Sequence, residues 1–285
     1  MRYTFIAAHE SVFPVQRMCH VLGVQRSGYY AWRKRTPSTR EQVNQALLEM
    51  IKVEHENSRK TYGSPRIHVK LRRKGVVCGH NRVARLMRLN RIVGRTRRRY
   101  HPVTTQRQPG VVLAPNRLNQ EFSAAAPNQK WVSDFTYIAT AEGWLYLAVI
   151  LDLFSRKVIG WAMSQTMDTA LVETALRMAL LGRRPPAGLL HHSDQGSQYT
   201  SDTYQHCLNA ALAQLSMSGV GNCYDNAVME SFFATLKTEC VTGPFHSRAE
   251  ARTTIFEYLE VWYNRQRLHS TLGYYSPVDF ENFTL

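Results

Sequence analysis

From Gln129 onward the apolar residues stop recurring at helical spacing and fall into strand-length runs. NQKWVSDFTYIAT opens the series, and EGWLYLAVILDLFSRKVIGWAMS supplies two further strands joined through Asp152–Lys157. MDTALVETALRMALLG then returns to helical spacing. A strand ending at Asp194, a helix at about 201–213, a short strand LAQLSMS and a helix from near Asn226 complete the order. Strands and helices in this order predict an α/β fold, a mixed sheet with helices on its faces.

The front of the chain is different in kind. Through residue 120 there are 25 Lys and Arg against 5 Asp and Glu, whereas the rest carries 11 against 16. A local excess of twenty positive charges points to a polyanionic partner, and nucleic acid is the leading one. FPVQRMCHVLGVQRSGYYAWRKR (13–35) reads as helix, tight turn at Gly23-Val24, helix, the layout of a helix-turn-helix. A polar helix follows from Arg40 to His55. A second helical pair spans 62–94, its first helix started by Ser64-Pro65 and ended by Gly75. In the second helix of that pair Val83, Leu86 and Met87 point inward, while Arg82, Arg85 and Arg88 recur every three residues on another face. With no acidic partner on that helix they are assigned to DNA phosphate, against the blander reading of a solvated face. Residues 96–128, with four prolines and the run Arg97, Arg98, Arg99, read as a linker. Those three arginines either follow a DNA backbone or belong to a solvated tether.

Several classes are disfavoured. The run WLYLAVIL is too short to cross a bilayer, and no secretory signal is evident at the N-terminus. Five scattered cysteines without a CxxC pair predict a reduced, intracellular protein rather than a zinc site built from Cys19, His20, His55, Cys78 and His80. Ser193 and Cys223 lack the G-x-S-x-G elbow of a hydrolase, and no GxxxxGK phosphate loop is present.

Three acids stand out against their surroundings. Asp134 interrupts the apolar strand WVSDFTYI, Asp194 ends a strand at a glycine-containing turn, and Glu230 lies in a mostly apolar helix beside Phe232 and Phe233. If the first and fourth strands are neighbours, both aspartates reach a common point and the last helix can lay Glu230 across it. Three converging carboxylates would repel one another. An all-oxygen set of that kind suits magnesium or manganese, and two such ions ~3.5–4 Å apart serve phosphoryl transfer. Lys237, seven residues beyond Glu230, and Asn226, four before it, share its helix face and are placed to grip DNA phosphate. Asp152 reads as a turn former and Asp225 as a helix cap. Glu239 falls on the opposite helix face, His191 and His192 read as packed or hydrogen-bonded residues, and His269 as part of a basic docking surface.

WVSDFTYI, HHSDQGSQYTS and GNCYDNAVMESFFATLKTEC together resemble the three blocks of DDE transposases of the retroviral-integrase superfamily. Asp134, Asp194 and Glu230 match their acidic trio, with 35 residues between the last two, and Lys237 matches their basic residue. QRSGYYAW, YGSPRIHVKLRRKG and YNRQRLHSTLGYYSPVDF extend the resemblance, over nearly the whole chain, to the second-frame (OrfB) proteins of bacterial insertion sequences of family three. That resemblance implies a ribonuclease-H-like catalytic core at 129–285 with a basic helical tail. It also implies a helix-turn-helix-like region at 1–58, a second basic helical region at 59–95, and the linker at 96–128. It implies two magnesium ions, with manganese as a possible substitute, and cleavage and strand transfer at element ends. The expected partners are the terminal inverted repeats, target DNA, further copies of the chain in a synaptic complex, and an upstream-frame protein, by fusion or as a complex. The expected location is the bacterial cytoplasm, at the nucleoid, with no membrane. The rival readings are a DNA-binding regulator with a silent core, or a simple metal-dependent nuclease.

Overall fold

The computed structural model describes residues 1–96, 114–219 and 223–284, so Arg97, Arg98 and Arg99 lie outside the described residues. The chain forms two compact units, 1–53 and 54–285.

In the first unit α1 (Arg2–His9), α2 (Val15–Val21) and α3 (Arg26–Lys34) close around Ile6, Met18, Cys19 and Tyr29. Gly23 makes the turn between α2 and α3 at φ +61°, a backbone region that glycine enters without strain. The buried Tyr29 donates its hydroxyl to Glu10 at 2.8 Å, and Arg33 donates to the same carboxylate oxygen. α4 (Thr39–Asn57) begins at a reciprocal cap: the Ser38 amide donates to the Glu41 carboxylate, and the Glu41 amide donates to the Ser38 hydroxyl.

The second unit opens with α5 (Ser64–Arg73) and α6 (His80–Leu89), which bury Ile67, Leu71, Val83, Leu86 and Met87. Arg85 and Arg88 stand exposed and Arg82 is half-buried. The sheet follows, with β1 (Lys130–Thr140), β2 (Gly143–Asp152), β3 (Val158–Ser164), β4 (Leu190–Ser193) and β5 (Gln214–Met217) in the order β3-β2-β1-β4-β5. The first three strands are antiparallel, and β1, β4 and β5 run parallel. Helices α7 (Thr169–Arg183) and α8 (Asp202–Ala210) form the crossovers that parallel strands require.

Alternation divides the sheet side chains between two cores. Trp131, Ala148, Ile150 and Ile159 face Leu171, Ala175, Leu176 and Ala179 of α7. Gly160 lets that helix approach, because a Cβ there would sit 2.3 Å from the Ala175 carbonyl oxygen. On the other face lie α9 (Ala227–Glu239) and α10 (Arg248–Glu257), packed on β1. A single π turn, Tyr258–Tyr263, continues α10, and α11 (Pro277–Thr284) ends the chain's described part.

Two sequence expectations need correction. The second half of the predicted linker is packed: Leu118 is buried, and the Ser216 hydroxyl of β5 accepts the amides of Arg117 and Leu118 at 2.9 and 3.1 Å. The C-terminal segment is not a basic tail. Residues 241–285 hold four arginines against five acids, and Glu281 is buried on Arg183 and Lys157, which ties α11 to the sheet.

Candidate active site

The parallel pairing of β1 with β4 decides where the acids go. Trp131 faces His191 and Val132 faces His192, an offset of sixty residues. Carried two residues further, the same offset sets Asp134 beside Asp194, just past the end of β4. Neighbouring strands lie ~4.8 Å apart, so the two carboxylates are lateral neighbours. Each is half-buried. Asp134 Oδ1 accepts the Phe135 amide at 2.8 Å, and Asp194 Oδ1 accepts the Gly196 amide at 3.0 Å.

Burial, then the charge of Asp194, then that of Glu230 hold the Asp134 carboxyl well above the ordinary carboxylate range. The Phe135 amide and the Lys237 ammonium pull the other way. Burial also raises Asp194. Glu230 occupies the first turn of α9, where the helix dipole favours a negative charge, and its side chain is exposed. Lys237 lies over the Tyr137 ring, its Nζ 4.9 Å from the ring centroid. Burial lowers its pKa and the Asp134 charge opposes that shift.

The structure thus joins two of the three acids and brings the third within electrostatic range of Asp134. Among the described residues no group of three or more His, Cys, Asp or Glu side chains is drawn together closely enough to hold a metal ion. The donor chemistry nevertheless fits a hard divalent cation: neighbouring carboxylates, Asp134 disfavoured by the charges of Asp194 and Glu230.

Residues 124–223 match the family described as Integrase core domain, 230–285 match a second Integrase core domain family, and 42–100 match HTH-like domain. Over the whole of both chains the sequence is 44% identical to Transposase InsF for insertion sequence IS3A of Escherichia coli (strain K12). The chain belongs to the IS3-type transposase family. It is also 47% identical to the Insertion element IS600 uncharacterized 31 kDa protein of Shigella sonnei, over 92% of this chain and 97% of that one. Among solved structures it is similar to a chain of the simian T-cell lymphotropic virus intasome in complex with PP2A regulatory subunit B56 gamma. There the TM-score is 0.48 and the identity 14%, over 81% of this chain and 74% of that one.

Other residues of this transposase sit differently from their sequence reading. Asp225 is no helix cap. It is buried in a 3-10 turn, Cys223–Asn226, and accepts from the Asn116 and Gln120 side chains and the Gly219 amide at 2.9, 3.1 and 2.8 Å. It therefore fastens the segment before the sheet to the start of α9. Asn226, expected at DNA phosphate, is the residue preceding α9 and is buried, its Oδ1 without a hydrogen-bond partner among the described residues. His269 is buried against Tyr263 rather than exposed for docking. Asp152 does form the turn expected of it, accepting the Phe154 amide at 2.9 Å, and Arg183 pairs with it at 3.1 Å.

His191 and His192 are both buried and hydrogen-bonded, to Tyr204 and to Ser216 and Ser218. Burial depresses them to about 3 and about 4. Their folded values lie below the ordinary 6.5, so the stability they contribute is complete above that pH and lost as pH falls through it toward 4. Asp134 and Asp194, with raised folded values, gain stability as they protonate, so the histidine loss is read as a fall in the wild-type melting temperature relative to a His192→Gln variant below pH 6.5. Thermal unfolding of both between pH 7.5 and 4.5 checks this, and a constant difference down to pH 5 contradicts it.

Proposed function

We propose that Asp134, Asp194 and Glu230 hold two divalent cations, magnesium with manganese able to replace it, and that this centre cuts DNA at insertion-sequence ends and joins the ends to target DNA. The observation that carries the reading is the lateral pairing of Asp134 with Asp194, two half-buried carboxylates whose charges disfavour each other. Such an arrangement is costly unless a cation or proton compensates it. Bound there, the cations would supply charge to the attacking and leaving oxygens of a phosphodiester.

The chain's own groups do the rest. Lys237, held over Tyr137, binds a phosphate oxygen next to the reacting bond. The exposed Arg85 and Arg88, with Arg82, Arg97, Arg98 and Arg99, contact the backbone on either side. The helix-turn-helix of 1–58 and the helical region of 59–95 grip DNA away from the cut made by the catalytic part, 129–285. Because two ends must be held together, further copies of the chain, and an upstream-frame protein, complete the assembly at the nucleoid of a bacterial cytoplasm.

Joining assays with pre-cut element ends test this reading. Joined product is expected with magnesium or manganese and none with chelator, and Asp134→Asn is expected to bind the ends without joining them. Cleavage without any joined product would leave the simple nuclease. Joining that survives chelation would overturn the assignment.

A further inference from the structure

A cavity of about 330 Å³ lies alongside α9, about a third of a turn round the helix from Glu230 and Lys237. α9 contributes Ser231 and Thr235 to its wall, and the segment after the π turn contributes Thr271. Arg66 of α5, Arg156 of the β2–β3 turn and Arg267 complete a lining that contains no acidic side chain.

These guanidiniums are not equivalent. Arg267 is committed: Nε and Nη2 donate to both oxygens of the buried Glu239 at 2.8–3.0 Å. Arg66 and Arg156 form no ion pair among the described residues. Arg66 lies 5.4 Å from the Tyr62 ring centroid, and Arg156 donates to the Phe122 carbonyl at 2.8 Å. Both are half-buried, and burial pushes both below the ordinary arginine value, with Arg267 repelling Arg66 as well. His269 stands in the field of all three arginines and, being buried, stays uncharged. Its Nε2 accepts from Arg267 Nη1 at 3.4 Å. Two partly desolvated cations thus face one cavity whose lining holds no anion, Glu239 acting on Arg66 and Asp152 on Arg156 only from outside it, an arrangement that a negative ligand in the cavity would stabilise. Hydroxyls at its wall and planar guanidinium forks match the oxygens of a phosphate.

Arg66 also lines a second groove of about 580 Å³, shared with Arg88, Arg91 and Arg95. A row of arginines therefore leads from the α5–α6 pair to the cavity beside the catalytic helix.

We propose that this cavity is a phosphate-binding pocket for one backbone phosphate of the DNA, lying beside the phosphodiester that reacts. The ligand's being DNA rests on the function proposed above; the pocket's affinity for phosphate does not. Held there, a phosphate bridges Arg66 and Arg156 and fixes the strand against the flank of α9.

Salt titration of the full chain on a fluorescent duplex carrying an element end tests it. Each phosphate contact contributes about 0.9 to the slope of log affinity against log salt. Arg156→Gln is expected to lower the slope by about that amount and weaken binding about tenfold at 0.15 M salt. Ser231→Phe and Thr271→Phe, which fill the cavity from two different elements without changing charge, are expected to lose the same increment. Inorganic pyrophosphate at constant ionic strength is expected to raise the melting temperature of the wild type and of none of these variants. A wild-type slope in both filled variants would place the contact on the outer surface and overturn the pocket. Stabilisation by pyrophosphate with unchanged DNA slopes would make it a site for free phosphate and overturn the DNA assignment. If the wild type bound no DNA at all, the function proposed above would fail, whereas the pyrophosphate measurement would still read the pocket.

Discussion

Replacing Asp194 with Asn is expected to abolish strand joining and, in the absence of divalent cations, to raise the melting temperature. The amide keeps an Oδ1 able to accept the Gly196 amide, so the turn after β4 survives. What is lost is one of two neighbouring charges. Asp134 is then relieved of the carboxylate that, after burial, most disfavours its ionised form. Relief of that repulsion lowers the cost of keeping the remaining carboxylate ionised, so the metal-free fold gains stability. With magnesium added the order is expected to reverse, since the wild type gains a ligand that the variant binds poorly. Loss of joining should exceed the ~10–100-fold cost of removing a group that only supports a metal ligand. A variant that joins ends normally, or that melts below the wild type without metal, would remove the carboxylate pair from the mechanism.

The second large effect is structural. Glu239 receives hydrogen bonds from Arg267, from the Tyr258 hydroxyl at 3.0 Å and from Trp262 Nε1 at 3.4 Å, all in the core behind α9. Arg267 and these hydrogen bonds hold its carboxyl below the ordinary range despite burial. Glu239→Gln leaves a buried guanidinium without its counter-charge, which costs about 3–5 kcal/mol. Urea denaturation is expected to show that loss. Combining Glu239→Leu with Arg267→Met is expected to recover most of it, since an apolar pair removes both desolvated charges together. Equal losses in the single and double variants would show that packing around these side chains, not their charge, carries the stability.

The site was legible in sequence where a residue contradicted its own neighbourhood. Asp134 inside an apolar strand and Asp194 at a strand's end announce themselves, and the three sequence blocks around them carry the family resemblance. Their adjacency was not legible, because it follows from β4 lying beside β1, a pairing across sixty residues that no local pattern encodes. Glu239 was placed on the correct helix face without its purpose, since its partner Arg267 lies 28 residues away. Asp225 looked like a cap because acids often precede helices, yet its ligands Asn116 and Gln120 come from more than a hundred residues upstream. His269, in a run rich in arginine, looked exposed; the fold turns Arg267 inward onto Glu239 and takes the histidine with it. One buried leucine, Leu118, sufficed to dock a segment that proline content had marked as a tether.

β1 is eleven residues long, whereas β4 ends after four. Past Val132 that edge of β1 therefore loses β4 as its partner, while α9 packs on the strand. The carboxylates proposed to hold the cations stand at this fork, where the sheet itself makes the opening. On the proposed function, extending β4 by a few residues is expected to zip the fork shut and stop strand joining with every acidic side chain still in place.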